Sequence, residues 1–429
     1  MTAETCEAFR ARVRAWLEAN APRKGEPGDF SAAHLVSART PEEYRRREHE
    51  ALAVTVAWQR RLFHAGFAGR SWPPEYGGAG APAWQYEVVA DEQSRYGVST
   101  KMIAVALEMV PPVLFEHGTH EQRAEHLPKV LRGGESWCQL LSEPGAGSDL
   151  ASVSTRATAV AGGWSVTGQK VWTSGAGTAD FALLLARSEP EGRGAAWAEE
   201  RATKERATRE GGASEAPRRR AGKHSEPVPG RAGLSCFAVD MRTAGVDVRP
   251  LRQMSGGYHF NEVFLDDVFV PSHGLIGRLG GGWGVLRTML ASERAAIGGG
   301  TSGRSAVQLI ALARHLGHTD EQVVRQLLAS AYIRERVLDL LQARVIGGSD
   351  VPAGGSVTKL LYSEHARRTA ADAMQLLGAA GMTTEHPDAA PWVERLLFAP
   401  GLRLGGGTDE IQRNTIAERG LGLPREVIR

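Results

Sequence analysis

The chain has 429 residues, of which 42% are hydrophobic, so it is long enough to form more than one domain around a buried core. Its 51 basic and 49 acidic residues nearly balance, which gives no indication of a nucleic-acid partner. The three cysteines lie far apart without CxxC spacing, and no apolar run is long enough to span a membrane. We therefore expect a cytoplasmic protein without a disulfide scaffold, a metal site or a membrane span.

Residues 1–135 predict a helical domain. In the first twenty residues, apolar side chains recur on one helical face, at Phe9, Val13, Trp16 and Leu17. Helical periodicity returns at residues 42–66, 84–96 and 102–110. The segment SWPPEYGGAGAP between the first two of these is rich in proline and glycine, so we expect it to be a loop.

From residue 136 to residue 272 the pattern changes to short strands. GGWSVTGQKVWTSG alternates between polar and apolar residues and is bounded by glycines, which is typical of a β-hairpin. DFALLLARS and LSCFAVDM are apolar runs suited to buried strands, and HFNEVFLDDVFVP adds another that ends at Pro271. Within this β domain, residues 191–231 lack Leu, Ile and Phe and are highly charged, which predicts a disordered or weakly helical insertion.

Residues 273–429 return to helical periodicity. VVRQLLASAYIRERVLDLLQARVI is amphipathic, and SVTKLLYSEHARRTAADAMQLLG predicts a second helix that ends at Gly378. The apolar side of the first of these helices is formed by Val323, Leu327, Ile333, Val337, Leu340 and Leu341. An order of helices, strands and helices favours an α+β fold over a doubly wound sheet.

Two motifs in the β domain combine polar groups with tight turns. In WCQLLSEPGAGSDLAS, Ser142, Glu143, Ser148 and Asp149 surround a Pro–Gly turn that exposes backbone N–H groups, which suits a polar ring edge or a phosphate. The alternative is an ordinary loop that caps the next segment. In GQKVWTSGAG, the plane of Trp172 stands beside two hydroxyl donors, which suits a flat heteroaromatic cofactor, although a core tryptophan near a turn is the alternative.

Three further motifs lie in the helical C-terminal part. MQLLGAAG occupies residues 374–381, and GGGTDEIQRNTIAERGLGLPR follows at 405–425, where three glycines would let the backbone approach a ligand closely. Thr408 and Asp409 predict the start of a helix. In LASERAAIGGG, Glu293 precedes Arg294 in an otherwise small and apolar run. Such a carboxylate is either a paired structural charge or a buried functional group.

In order and spacing, these motifs resemble the acyl-CoA dehydrogenase family. LSEPGAGSD resembles the family's first signature, GQKVWTSG its flavin-facing strand and GGTDEIQR its second signature, and WPPEYGG and NEVFLDDVFVP are also similar to family segments. The resemblance implies an N-terminal helical domain (1–135), a middle β-barrel or sandwich domain (136–272) and a C-terminal four-helix bundle (273–429). It also implies FAD, bound non-covalently between the β domain and the C-terminal helices.

The resemblance assigns candidate cofactor contacts residue by residue. The main chain at Leu141 and the Ser142 hydroxyl would contact the flavin ring, Trp172 would lie against it, and Thr173 and Ser174 would reach its N5 region. The remaining matched positions lie around the ring edge, the pyrophosphate or the adenine end: Gln139, Gly147, Ser148, Arg314, Gln375, Gly378, Thr408 and Glu410. Gln139 stands where the family often has an aromatic residue, so its role is open. Gln375 and Gly378 would serve the ADP half of FAD in a neighbouring subunit.

The implied reaction is the α,β-dehydrogenation of an acyl-CoA thioester to a trans-2-enoyl-CoA, with hydride transfer to flavin N5. Many family members carry the base just before the GT of the second signature, where this chain has Gly406. A subset places it before an arginine on the helix that opens the C-terminal domain, which makes Glu293 the candidate base here. Gly406 would still donate its N–H to the thioester carbonyl. Arg294 would orient a carboxylate or the turn at Gly406, and Ser148 would lie near the thioester or its pantetheine arm.

The resemblance also suggests partners. The small residues after Arg294 and the LGLPR segment look like actinobacterial members that act on bulky acyl-CoAs, including sterol side chains. An electron-transfer flavoprotein would accept the electrons, and the assembly would be a homo- or hetero-tetramer. Two alternatives remain open. The first alternative to a dehydrogenase is a non-catalytic subunit that completes another chain's FAD site. The second is a flavin monooxygenase or oxidase on the same fold.

Overall fold

The computed structural model describes residues 4–31, 38, 40–189, 230–299, 305–346 and 351–425. The predicted insertion at 191–231 lies outside the described residues except for its last two positions. The small side chains that follow Arg294 are outside them as well.

Where the structure describes the N-terminal part, it contains five α-helices: α1 (Cys6–Asn20), α2 (Pro41–His64), α3 (Ala83–Gln93), α4 (Val110–His117) and α5 (His120–Leu131). The predicted apolar face of α1 is confirmed, because Phe9, Val13 and Leu17 are buried. A capping box at Thr119 starts α5.

The segment from Met102 to Val110, predicted as one helix, is instead a 3₁₀ turn (Lys101–Ile103) followed by a π-helical turn (Val105–Met109). Pro111 and Pro112 follow directly and have no N–H, so the carbonyls of the preceding turn lose their α-helical donors. The Val110 N–H bonds to the Val105 carbonyl, which gives the wider turn.

Eight strands form one sheet: β1 (Trp137–Leu140), β2 (Arg156–Val160), β3 (Gly163–Ser174), β4 (Phe181–Glu189), β5 (Leu234–Asp240), β6 (Val246–Leu251), β7 (Phe260–Pro271) and β8 (Leu275–Ile276). Their order is β6-β7-β3-β2-β4-β5-β8, with β1 parallel to β4. The predicted hairpin sequence is a single strand, β3, which pairs with β2 across the turn at Gly162. The strands predicted from DFALLLARS, LSCFAVDM and HFNEVFLDDVFVP are confirmed as β4, β5 and β7.

In the described residues of the C-terminal part there are six α-helices: α6 (Gly282–Gly299), α7 (Ser305–His315), α8 (Gln322–Ile346), α9 (Gly354–Leu377), α10 (Ala390–Leu402) and α11 (Asp409–Thr415). Helix α9 packs against α6, α7 and α8, which confirms the four-helix bundle and the α+β fold class. The apolar stripe predicted on α8 points partly outward: Ile333, Val337 and Leu340 are about half exposed, whereas Ala331 and Leu338 are buried.

One hydrophobic core joins the sheet to the helices on either side. Val285, Leu286 and Met289 of α6 pack with Val113 of α4 and Leu183 of β4. This packing fixes α6 against the sheet and places Glu293 one helical turn beyond Met289. Among the described residues, no helix combines the length and hydropathy needed to cross a membrane.

Candidate active site

Glu293 lies at the junction of the sheet, α6 and the loop before α11. The residue is 9% exposed. Burial raises the pKa of Glu293, while the side chain of Gln139 on β1, the charge of Arg294, the backbone of Gly406 and the charge of Lys359 act against burial, so these groups lie near the carboxyl group. The structure therefore places a desolvated carboxyl group near Gly406, the position at which the resemblance expects many family members to carry the base.

The loop at Gly406 is braced from within. Gly406 has φ 66°, and Gly407 has φ 91°, so both occupy the left-handed region that favours glycine. The buried Gln412 side chain donates to the carbonyl of Gly406 at 2.7 Å and to that of Gly407 at 3.2 Å. Thr408 caps α11 by accepting a hydrogen bond from the Ile411 N–H at 3.2 Å, as its position in the sequence predicts.

A buried ionic cluster ties this loop to α9. Lys359 Nζ donates to Asp409 at 3.1 Å and to the Arg403 carbonyl at 3.2 Å, and the Ser363 hydroxyl donates to Asp409 at 2.9 Å. Arg403 Nε completes the cluster at 2.6 Å from Asp409. Burial raises the pKa of Asp409, but hydrogen bonds from Arg403, Lys359 and Ser363 outweigh burial and lower it. The sequence alone did not indicate this cluster, because Lys359 and Ser363 lie 50 and 46 positions from Asp409.

A second buried ion pair shapes the loop after β1. Lys170 Nζ donates to the Leu141 carbonyl and to Glu143, both at 2.9 Å, and Lys170 is fully buried. Glu143 also accepts bonds from the backbone N–H groups of Ser154 and Thr155. The Ser142 carbonyl accepts from the Val171 N–H at 2.9 Å, so both positions expected to face a flavin have their main chain anchored to β3.

Trp172 has an unusual backbone conformation at the end of β3. The register between β3 and β7 shifts between Lys170 and Thr173, and Trp172 takes φ 63°. Its ring is 59% exposed and meets Phe260 edge-on at 5.9 Å. Left-handed conformations of bulky residues are uncommon and occur often at ligand sites. The Thr173 hydroxyl instead donates to the Gln139 carbonyl at 3.3 Å, and Ser174 is exposed.

The other candidate positions lie on exposed surface in a single chain. Gly147, Ser148, Gln375 and Gly378 are exposed, and Glu410 is exposed and pairs with Arg413 at 3.5 Å. These positions do not adjoin Glu293 through any described contact.

Arg314 lines an open depression of about 430 Å³ between α7 and α8. Arg325 and Tyr332 also line it, so two guanidinium groups and an aromatic ring face the same space. This arrangement suits an anionic ligand, but Glu293 does not belong to its lining.

Arg294 is half-buried beside Glu293 on α6. Burial lowers the pKa of Arg294, and the charge of Glu293 opposes this effect. Among the described residues, no group of three or more His, Cys, Asp or Glu side chains could hold a metal ion.

Three family models match the chain in order. They are the N-terminal domain of acyl-CoA dehydrogenases over residues 28–134, the middle domain over 138–205 and the C-terminal domain over 280–421. Together they match most of the chain.

Whole-chain relatives agree with these models. The chain is 35% identical to acyl-CoA dehydrogenase IpdE1 of Mycolicibacterium smegmatis over 98% of both chains, and 30% identical to acyl-CoA dehydrogenase FadE29 of Mycobacterium tuberculosis over 85% of this chain and 88% of that one. Its fold superposes on the Tcur3481-Tcur3483 steroid ACAD with a TM-score of 0.73, at 27% identity over 99% of both chains. On this evidence the chain belongs to the acyl-CoA dehydrogenase family and is an enzyme of that family.

Proposed function

We propose that this chain catalyses the α,β-dehydrogenation of a bulky acyl-CoA, with Glu293 as the base that removes the α-proton. The observation that carries the proposal is the burial of Glu293, which is 9% exposed and lies near Gln139 and the Gly406 backbone. A base that acts on a weakly acidic C–H bond needs a raised pKa, and burial supplies it here.

The cofactor of the family is FAD, and the residues present fit it. The exposed face of Trp172, in its left-handed conformation, offers a plane against which a flat ring can stack. The anchored main chain at Leu141 and Ser142 lies beside it, because Lys170 and Val171, the two residues before Trp172, donate hydrogen bonds to the Leu141 and Ser142 carbonyls. When bound, FAD supplies the acceptor for the hydride that leaves the β-carbon.

The chain's own groups would divide the remaining work. Glu293 would take the α-proton, and the Gly406 N–H would stabilise the negative charge that develops on the thioester oxygen. In the structure, the Gly406 backbone lies near Glu293 and acts to lower the pKa of its carboxyl group. A thioester carbonyl that captures the Gly406 N–H would therefore weaken this stabilisation of the carboxylate and make it a stronger base.

The test is anaerobic bleaching of the bound flavin by acyl-CoAs. Glu293→Gln should retain the flavin but lose roughly 10²- to 10⁴-fold in the rate of bleaching. Glu321→Gln, which changes an exposed glutamate on the surface, is the matched control. Full bleaching by Glu293→Gln would show that another group removes the α-proton and would refute Glu293 as the base, whereas a wild type that no acyl-CoA bleaches would favour the monooxygenase alternative.

We propose a bulky, steroid-like acyl group because of the whole-chain similarity to a steroid ACAD. A panel that compares short straight-chain, branched and polycyclic acyl-CoAs tests this. Rapid bleaching by short straight chains alone would contradict the proposal. Reoxidation by an electron-transfer flavoprotein, and not by O₂, would support a dehydrogenase over an oxidase.

We also propose that the outward face of α8 is covered in an oligomer, with either a second copy or a different subunit. Ile333, Val337 and Leu340 recur at helical spacing and are 59%, 49% and 58% exposed. Two of the similar solved structures are assemblies of two polypeptides each, the Tcur3481-Tcur3483 steroid ACAD and the ChsE4-ChsE5 complex of Mycobacterium tuberculosis. Purification alone and with a co-expressed paralogue would separate the two assemblies, and the flavin colour of the chain alone would show whether its site is complete.

A variant pair tests which surface is used. Val337→Lys should dissociate the oligomer at micromolar concentration, as measured by light scattering. Val160→Lys, at a 40% exposed position on β2, should leave it intact.

A further inference from the structure

Trp172 lies at a β-bulge near the end of β3. From Lys170 to Thr173 there are three steps along β3, but the partners of these two residues are only two positions apart on β7. Strand β3 therefore carries one extra residue here, and Trp172 takes φ 63° with its ring exposed. Bulges turn a side chain away from the regular alternation of a strand, and they are frequent beside ligand sites.

The conformation of Trp172 requires support from its neighbours. The left-handed residue of such a bulge is commonly glycine, which has no Cβ to approach the following carbonyl. A tryptophan in this conformation is strained. A strained backbone of this kind persists only where the surrounding structure holds it, so the contacts next to Trp172 determine where its ring points.

Asn261 of β7 supplies such a contact. Its Nδ2 group donates to the carbonyl of Thr173, the residue that follows Trp172, at 3.0 Å. Asn261 and Thr173 are both buried, so water does not compete for this bond. The Thr173 hydroxyl also donates to the Gln139 carbonyl at 3.3 Å. Thr173 is therefore fixed toward the interior, and Trp172, one position earlier, projects outward.

We propose that Asn261 is a positioning residue, which holds the Trp172 ring at the angle at which it stacks on the flavin. The inference rests on the proposed function, in which the exposed face of Trp172 stacks on FAD, but it does not require Glu293 to be the base. Phe260 meets the edge of the same ring, with centroids 5.9 Å apart, and stacks on Phe398 of α10 with the ring planes 5° from parallel. These rings limit the tilt of Trp172, whereas Asn261 acts on the backbone that carries it.

The test measures the emission of bound flavin at saturating FAD and the affinity of the apoprotein for FAD. A tryptophan stacked on a flavin quenches its emission by donating an electron to the excited ring. Asn261→Ala should therefore brighten the bound flavin and raise the Kd for FAD about fivefold, which corresponds to the loss of one aromatic stacking contact. Asn20→Ala, which removes an amide bond to the Trp16 carbonyl at 2.8 Å on α1, should change neither quantity.

A double variant separates positioning from a general weakening of β7. Trp172→Ala should brighten the flavin by itself. Because Asn261 acts through the ring, adding Asn261→Ala to this variant should change neither the emission nor the Kd further. Additive effects of the two substitutions, or an unchanged emission in Asn261→Ala, would overturn the inference.

Asn261→Asp keeps the shape of the side chain and serves if the alanine variant does not fold. An ionised carboxylate cannot donate to the Thr173 carbonyl, whereas its protonated form can. The flavin of this variant should therefore be bright at high pH and become quenched as the pH falls, and emission that matches the wild type at every pH would contradict the inference. Unchanged emission in Trp172→Ala would refute both the inference and the stacking on FAD, while the bleaching rate of Glu293→Gln tests the base alone.

Discussion

Replacement of Lys170 by methionine tests the ion pair that anchors the loop after β1. Methionine has a similar length but no charge, so the change removes the cation and leaves Glu143 buried, with its side chain 4% exposed. Loss of one partner from a buried pair costs about 3–5 kcal/mol. Glu143 keeps donors from Ser154 and Thr155, which places this cost near the lower end, about 3 kcal/mol. The Leu141 carbonyl loses its donor as well, which adds about 1 kcal/mol.

The expected total of about 4 kcal/mol corresponds to a fall in melting temperature of roughly 10 °C for a unit of this domain's size. Differential scanning fluorimetry of the holo- and apoprotein measures it. Because Leu141 adjoins the proposed flavin site, Lys170→Met should also weaken FAD binding about tenfold, measured by fluorescence titration. Lys24→Met, at an exposed lysine, should change neither quantity.

A double variant tests whether Lys170 and Glu143 stabilise the fold as a pair. Glu143→Gln in the Lys170→Met background removes the unpaired charge, so the double variant should be less destabilised than the sum of the two single variants. If the single effects simply add, or if Lys170→Met is as stable as the wild type, the pair does not hold the loop as argued.

Three further predictions concern the pH dependence of the Lys170–Glu143 pair, the buried charge of Asp409 and the Gln412 side chain. Burial raises the pKa of Glu143, but attraction to Lys170 and hydrogen bonds from Thr155, Lys170 and Ser154 outweigh it and lower the value from 4.5 to about 2. A carboxyl group with a lowered pKa stabilises the fold above pH 4.5, and this stabilisation is lost as the pH falls toward 2. The difference in melting temperature between the wild type and Lys170→Met should therefore become smaller below pH 4.5, as measured by thermal unfolding at a series of acidic pH values. Asp409→Asn should lower stability by about 3–5 kcal/mol in urea unfolding, because it leaves Lys359 buried and unpaired, whereas Asp339→Asn on the surface of α8 should cost less than about 1 kcal/mol. Gln412→Leu should lower the bleaching rate at saturating substrate about tenfold while the protein keeps its flavin, because the Gly406 turn loses its internal donor; an unaffected rate would show that the turn holds its geometry without that amide.

The strands that the sequence predicts correctly include those that are buried along most of their length. Strands β4 and β5 are uninterrupted apolar runs because both of their faces are covered, and their sequences predict them directly. Strand β6 was missed because VDVRPL lies at the sheet edge, where alternate side chains are exposed and no apolar run forms. The turn before α4 was wrongly predicted as part of one helix, because the spacing of apolar residues carries no information on the N–H groups that two successive prolines lack.

Only some residues of the candidate site could be predicted from the sequence. Local motifs indicated Trp172 and the loop at Gly406, and the family resemblance indicated Glu293. Gln139 and Glu293 lie near each other in the fold although they are 154 positions apart, and neither residue's local sequence indicates the other. Lys170 and Lys359 were not recognised as buried, because lysine is rarely buried without a partner that only the folded chain supplies.

The position of the proposed base on α6 also accounts for the glycine at 406. The backbone there has φ 66°, a conformation that costs an L-residue with a side chain about 1–2 kcal/mol. Gly406 is buried, and its backbone lies near the Glu293 carboxyl group. A carboxylate carried by a helix is held by the packing of Val285, Leu286 and Met289, whereas one carried by the loop would depend on the Gln412 and Asp409 contacts alone. Under the proposed mechanism, the loop presents only one backbone N–H, and helix α6 positions the base independently of the loop.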